Sequence, residues 1–122
     1  MLCLSAAALS LVLPLQSFTL AWTHSIEKIR WEEDYQVSGR VLRLTEARIR
    51  GHGAGMEVPE GAVLHAGVWH YTPPVNEFPE LLLARSSYTA DYELCRNDSC
   101  RPIAEVAGPV DQSPQLRLYP CD

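Results

Sequence analysis

The stretch Phe18 to Val37, FTLAWTHSIEKIRWEEDYQV, constrains the fold more than any other, because two segments of alternating apolar and polar residues flank a short charged connection. Alternation with period two sends successive side chains to opposite faces of a strand, so the stretch predicts a β-hairpin. On its first strand Phe18, Leu20, Trp22 and His24 share one face, and Thr19, Ala21, Thr23 and Ser25 share the other. On the second, Trp31, Glu33, Tyr35 and Val37 face one way while Glu32, Asp34 and Gln36 face the opposite way. Each apolar face thus carries one ionisable group, His24 or Glu33. If the register sets them opposite each other, their β-carbons would stand about 5 Å apart, close enough for the carboxylate to orient the imidazole.

Beyond the hairpin, Ser38-Gly39 reads as a turn and Arg40 to Arg50 as a third strand. Its apolar phase slips: Leu42 and Leu44 occupy one parity, Ala47 and Ile49 the other, which predicts a bulge near Thr45 or Glu46. The loop Gly51-His52-Gly53-Ala54-Gly55-Met56 follows, glycine-rich because its backbone needs positive φ or a close approach. Ala62 to Tyr71 is expected to form one strand, with His65 and His70 on opposite faces. Pro73, Pro74 and Pro79 exclude a helix or central strand over 72–79. Leu81 to Ser87, Tyr88 to Cys95, Arg101 to Val106 and Leu116 to Tyr119 read as further strands, with a linker from Gly108 to Pro114 before the last. No helical stripe is sustained, and the regular turn spacing predicts an all-β fold, a small antiparallel sandwich or partly open barrel.

The 122 residues suit one domain. The first 26 carry no Asp, Glu, Lys or Arg, and Leu2 to Leu15 is almost continuously apolar, as in a secretory h-region. Residues 1–17 are therefore expected to be a signal peptide or membrane-proximal leader, and residues 18–122 the β domain of a periplasmic or otherwise extracytoplasmic protein. A net charge of −5 and scattered basic residues argue against nucleic-acid binding, which needs clustered Lys and Arg along the phosphates. In CRNDSC, turn-forming Asn97, Asp98 and Ser99 bring Cys95 and Cys100 within bridging range, and an oxidising compartment favours that bridge. Cys3 falls in the expected leader. For Cys121 the sequence leaves open a buried or free thiol, a bridge to Cys95 or Cys100, or an intermolecular bond.

THSIEKIRWEEDYQV, then LRLTEARIRGHGAGM, then LCRNDSCRPI with a terminal cysteine, resembles the domain of unknown function DUF1850. That family pattern is His-Ser-Val-Glu with a second Glu six residues on and a Gly-Ala-Gly loop. The matching positions are His24, Ser25, Glu27 and Glu33, with Ile26 in place of Val, and Gly53, Ala54 and Gly55 followed by Met56. The resemblance implies a small exported bacterial protein, similar to those encoded beside TRAP transporters of the TAXI type, which pair a solute-binding protein with a permease for organic anions. The expected partners are that permease or solute-binding protein, with the membrane reached only through the leader or such a partner.

The motif residues carry limited chemistry. His24 with Glu33 could act as general base and orienter, or simply satisfy each other as polar groups on an apolar face. Ser25 faces away from His24 and is a poor nucleophile. Glu27, in or beside the turn, could pair with an Arg of the third strand such as Arg48. Gly53-Ala54-Gly55 could form a nest of amides around a carboxylate, but no Lys-Ser/Thr follows as a phosphate loop requires. The histidine spacings fit no zinc pattern, and neither a metal nor a cofactor is expected. The function expected is a non-enzymatic accessory domain of a transport system. The alternative is a small-ligand binder or hydrolase using His24 and Glu33 with the glycine loop as anion cradle.

Overall fold

A computed structural model describes residues 1–23, 28–50 and 59–121, and these form two antiparallel sheets packed face to face. The larger sheet is built on the hairpin. Strands β3 (Ser17–Thr23) and β4 (Arg30–Ser38) pair in the register Phe18 with Tyr35, Leu20 with Glu33 and Trp22 with Trp31. Strand β5 (Val41–Arg50) lies against β4, and the register shifts between Asp34 and Tyr35: Tyr35 faces Leu44, whereas Asp34 faces Glu46. Thr45 is thus the extra residue. The parity slip in the sequence is this bulge, and it keeps Leu42, Leu44, Ala47 and Ile49 all buried.

Outward from β5 come β7 (Val68–Tyr71) and then β6 (Val63–His65), while the two-residue β8 (Glu77–Phe78) pairs with the start of β5. The expected single strand over 62–71 is instead a hairpin. Ala66 and Gly67 both adopt positive φ, of 51° and 81°, which reverses the chain between β6 and β7. His65 and His70 consequently share a face, their rings 6.3 Å apart, rather than lying on opposite ones. On the other flank β10 (Glu93–Arg96) pairs with β3, and β11 (Ser99–Pro102) closes the edge. Asn97 and Asp98, also at positive φ, make the turn that sets Cys95 opposite Cys100, and the two form a disulfide. The residues after Pro102 form one helical turn, α1 (Ala104–Ala107), where the sequence suggested a continuing strand.

The smaller sheet has the order β2-β1-β12-β9, with β1 (Leu2–Ala6), β2 (Leu9–Leu13), β9 (Leu81–Ala84) and β12 (Gln115–Pro120). Where a leader was expected over 1–17, the structure has two strands, and Leu2 and Leu4 are fully buried against the hairpin sheet. Alternation explains this: Leu2 and Leu4 of β1 face inward, as do Leu9, Leu11 and Leu13 of β2 through their register with β1. Antiparallel pairing of β1 with β12 sets Cys3 beside Tyr119 and brings Cys121 within bonding distance of Cys3. Cys121 therefore pairs with neither Cys95 nor Cys100, and it is not free.

Leu2, Leu4, Leu83, Leu116 and Leu118 of the smaller sheet meet Phe18, Leu20, Tyr35, Leu42 and Leu44 of the larger, with Ile103 and Ala107 sealing one side. Away from that core, the fully buried guanidinium of Arg85 ties two loops together. It bonds both carboxylate oxygens of Asp91, at 3.0 and 2.8 Å, and donates to the carbonyls of Ser113 and Gly108.

Candidate functional site

The β4 sequence RWEEDYQVS alternates so that Arg30, Glu32 and Asp34 face outward while Trp31, Glu33 and Tyr35 face the other sheet. The two adjacent glutamates therefore enter opposite environments. Glu32, on the outer face, is surrounded by guanidinium groups. One oxygen accepts from Arg48 Nε at 3.0 Å and Arg50 Nε at 3.1 Å, and the other from Arg30 Nε at 2.9 Å. Burial alone would raise its pKa, but the hydrogen bonds from Arg50, Arg30 and Arg48 prevail and bring it down to about 2.

The network extends across the sheet. Arg48 grips Asp34 with two parallel bonds of 2.6 and 2.7 Å, the bidentate geometry that makes such pairs strong, and reaches Glu46 at 2.8 Å. Thr19 Oγ1 donates to the same Asp34 at 2.6 Å. Burial would lift the Asp34 carboxyl, yet Arg48 and Thr19 hold it below its ordinary value, while Asp34 in turn raises the pKa of Arg48. Glu46 also lies 2.9 Å from Nδ1 of His70 on β7. In the other direction Arg30 Nη1 donates to Glu93 of β10 at 2.6 Å, and its Nη2 stands 3.4 Å from Cys100 Sγ and 3.8 Å from Cys95 Sγ. A charged face thus runs from the Cys95–Cys100 bridge through β3, β4 and β5 to His70. An open groove along it is lined by Thr19, Glu32, Asp34, Arg50, Asn97 and Cys100.

Glu33 points into the sandwich. It sits between Leu20 on β3 and Ala47 on β5, and its Oε1 accepts a 2.9 Å hydrogen bond from the Tyr35 hydroxyl. Burial raises its pKa, and the Tyr35 bond offsets only part of that. Burial and the nearby Glu33 charge raise the phenols of Tyr35 and Tyr71, and burial with the charges of Asp91 and then Glu33 raises that of Tyr92. Next along this face, Trp22 stacks on Trp31 with ring centres 6.2 Å apart and meets Tyr92 at 6.1 Å. Among the described residues, the indole nitrogens of Trp31 and Trp69 find no acceptor. Burial among aromatic rings thus raises the proton affinity of Glu33, while guanidinium groups lower that of Glu32, one residue away.

In this register the residue across from Glu33 is Leu20, four positions before His24. His24, Ser25 and Glu27 lie outside the described residues, as do Gly53, Ala54 and Gly55. Their flanks are described. Thr23 faces Arg30, and Arg30 faces Arg50, so both motif-bearing connections leave the same end of neighbouring strands. Arg48, suggested as a partner for Glu27, is engaged by Asp34, Glu32 and Glu46. Sequence reading missed the whole outer network. The signal was present: once the bulge is placed at Thr45, Glu46, Arg48 and Arg50 take the parity that sets them across from Asp34, Glu32 and Arg30.

A family model described as "Domain of unknown function (DUF1850)" matches residues 18–103, which hold the hairpin, both motif segments and the Cys95–Cys100 bridge. No curated protein and no solved structure matches the chain.

Proposed function

The chain belongs to the DUF1850 family, and on that premise we propose that it is a non-enzymatic accessory domain. It works outside the cytoplasm beside a TRAP transport system of the TAXI type for organic anions. The transporter association rests on the family resemblance. The observation that carries the extracytoplasmic reading is the pair of disulfides, Cys3–Cys121 and Cys95–Cys100, because thiols are kept reduced in most cytosols. The outer sheet face supports a role in contact. Its carboxylates and guanidinium groups are fixed by mutual bonds, which presents a partner with a rigid charge pattern at little further cost in side-chain entropy. The partner is the permease or the solute-binding protein of the transporter. Cross-linking followed by capture of the tagged protein from native membranes tests this: recovery of either component supports the proposal, and recovery of neither overturns it.

The environment of Glu33 favours a second reading, small-ligand binding or hydrolysis with His24 and the Gly53–Gly55 loop. A half-buried carboxyl with raised proton affinity is the kind of group that binding and catalytic sites use. Substituting His24→Ala and Glu33→Gln separates the two readings. Variants that fold but lose a ligand support this one; variants that fold and still capture the transporter component support the first.

A further inference from the structure

The Cys95–Cys100 bridge differs from the Cys3–Cys121 bridge in two ways that matter for reactivity. Cys100 is exposed and Cys95 buried, whereas Cys3 is buried and Cys121 only partly exposed, so the hairpin bridge offers a thiolate from solvent the more open sulfur. A cation also stands on the bridge: Arg30 Nη2 is 3.4 Å from Cys100 Sγ and 3.8 Å from Cys95 Sγ, held in place by bonds from the same guanidinium to Glu93 and Glu32. Among the described residues, no cation hydrogen-bonds the sulfurs of Cys3 and Cys121. Thiol–disulfide exchange is governed by access to the attacked sulfur and by the stability of the leaving thiolate. A fixed guanidinium beside the leaving sulfur stabilises that charge.

We propose that the Cys95–Cys100 hairpin is a thiol–disulfide exchange site for a dithiol, with Cys100 as the attacked sulfur, Cys95 as the leaving group and Arg30 as the positioned cation. A thiolate of the dithiol attacks Cys100 Sγ. The new S–S bond forms as the Cys95–Cys100 bond breaks, and its electron pair leaves on Cys95 Sγ beside Arg30. The second thiol of the dithiol, once deprotonated, attacks its own sulfur in the mixed disulfide and expels Cys100 as a thiolate. Two electrons pass to the chain, the dithiol departs as a disulfide, and its two protons end on Cys95 and Cys100. The β10–β11 ladder and the Asn97-Asp98 turn keep the two cysteines paired across the hairpin, so the reduced site is set to close again.

The test follows bond opening in the intact folded chain with dithiothreitol as the dithiol, quenching with acid, alkylating with a maleimide and locating the label by peptide mapping. The expected result is that Cys95–Cys100 opens at least tenfold faster than Cys3–Cys121. Arg30→Gln should slow that opening several-fold, and Arg30→Lys should restore most of the rate. Equal opening rates for the two bridges in the wild-type chain would overturn the proposal, whether or not the variants fold. So would an Arg30→Gln protein, folded by circular dichroism, that opens as fast as wild type.

Discussion

Replacing Glu32 with glutamine isolates the charge at the centre of the outer network while keeping the shape of the side chain. In the folded protein the carboxyl titrates at about 2, against an ordinary value of 4.5. At about 1.4 kcal/mol per tenfold change in proton affinity, that displacement corresponds to roughly 3 kcal/mol of stability. Only 9% of the side chain is exposed, so solvent screening removes little of it. The sign follows from the lowered value: the contribution is complete above the unfolded-state pKa and fades as the pH falls through the folded one. Between pH 7 and pH 3 the linkage relation removes about 2 kcal/mol of the total. Glu32→Gln should therefore cost roughly 2–3 kcal/mol at pH 7 and about 1 kcal/mol at pH 3. The cost is limited because Arg30 keeps Glu93, Arg48 keeps Asp34, and Arg50, which loses its carboxylate, is half exposed. Urea unfolding of both proteins at pH 7, 5 and 3, followed by tryptophan fluorescence, measures this difference. Asp91, which burial raises and Arg85 lowers to a net fall, titrates in both proteins and cancels. A wild-type minus variant difference that stays flat across that range would refute the electrostatic account.

Glu33→Gln should give the opposite slope. Its raised pKa means the wild-type carboxyl contributes most stability when protonated and loses it as the pH rises through the folded value, so the variant gains on wild type between pH 4 and 7 in the same urea series. The amide oxygen still accepts from Tyr35, which keeps the fold intact. Removing the long-range bridge with Cys3→Ser and Cys121→Ser together releases a loop of 118 residues and should cost about 4–5 kcal/mol on the chain-entropy estimate. The same change at Cys95 and Cys100, only 5 apart, should cost about 2 kcal/mol, and thermal unfolding of the two double variants compares them. Arg85→Met should cost roughly 3–5 kcal/mol in urea unfolding, because it strips partners from Asp91 and from the carbonyls of Ser113 and Gly108.

What could be read from the sequence was local. The hairpin followed from alternation, the bulge from the slip between Leu44 and Ala47, and the Cys95–Cys100 bridge from the turn residues between them. What escaped depended on pairing between distant segments. A run such as Leu2 to Leu15 has the composition of an h-region and equally of two core strands, and its partner strand, β12, lies at the far end of the chain. A leader over residues 2–6 would take Cys3 out of the pairing and leave Cys121 without the partner it has in the fold. The turn within 62–71 is not legible in the sequence because Ala66 makes it at positive φ, a conformation alanine rarely adopts and composition does not announce. For the site, Glu33 drew attention as a charge out of place on an apolar face. Glu32 drew none, since a charge on a polar face looks solvated until the facing strand is in register.

That register also explains why one strand can hold two glutamates with opposed proton affinities. Were β5 to continue past Leu44 without the extra residue, Glu46, Arg48 and Arg50 would keep the parity of Leu42 and Leu44 and point into the sandwich, while Ala47 and Ile49 would point to solvent. Thr45 absorbs one position and turns the cations outward, where Arg48 meets Asp34 and both Arg48 and Arg50 meet Glu32. The same shift leaves Ala47, small and apolar, across from Glu33, so no cation reaches that carboxyl from β5. The bulge therefore supplies two of the three guanidinium groups that lower the pKa of Glu32, and it leaves the buried Glu33 without a cation from β5. The bulge sits between the core, which it completes with Ile49, and the charged face, which it supplies with Arg48 and Arg50.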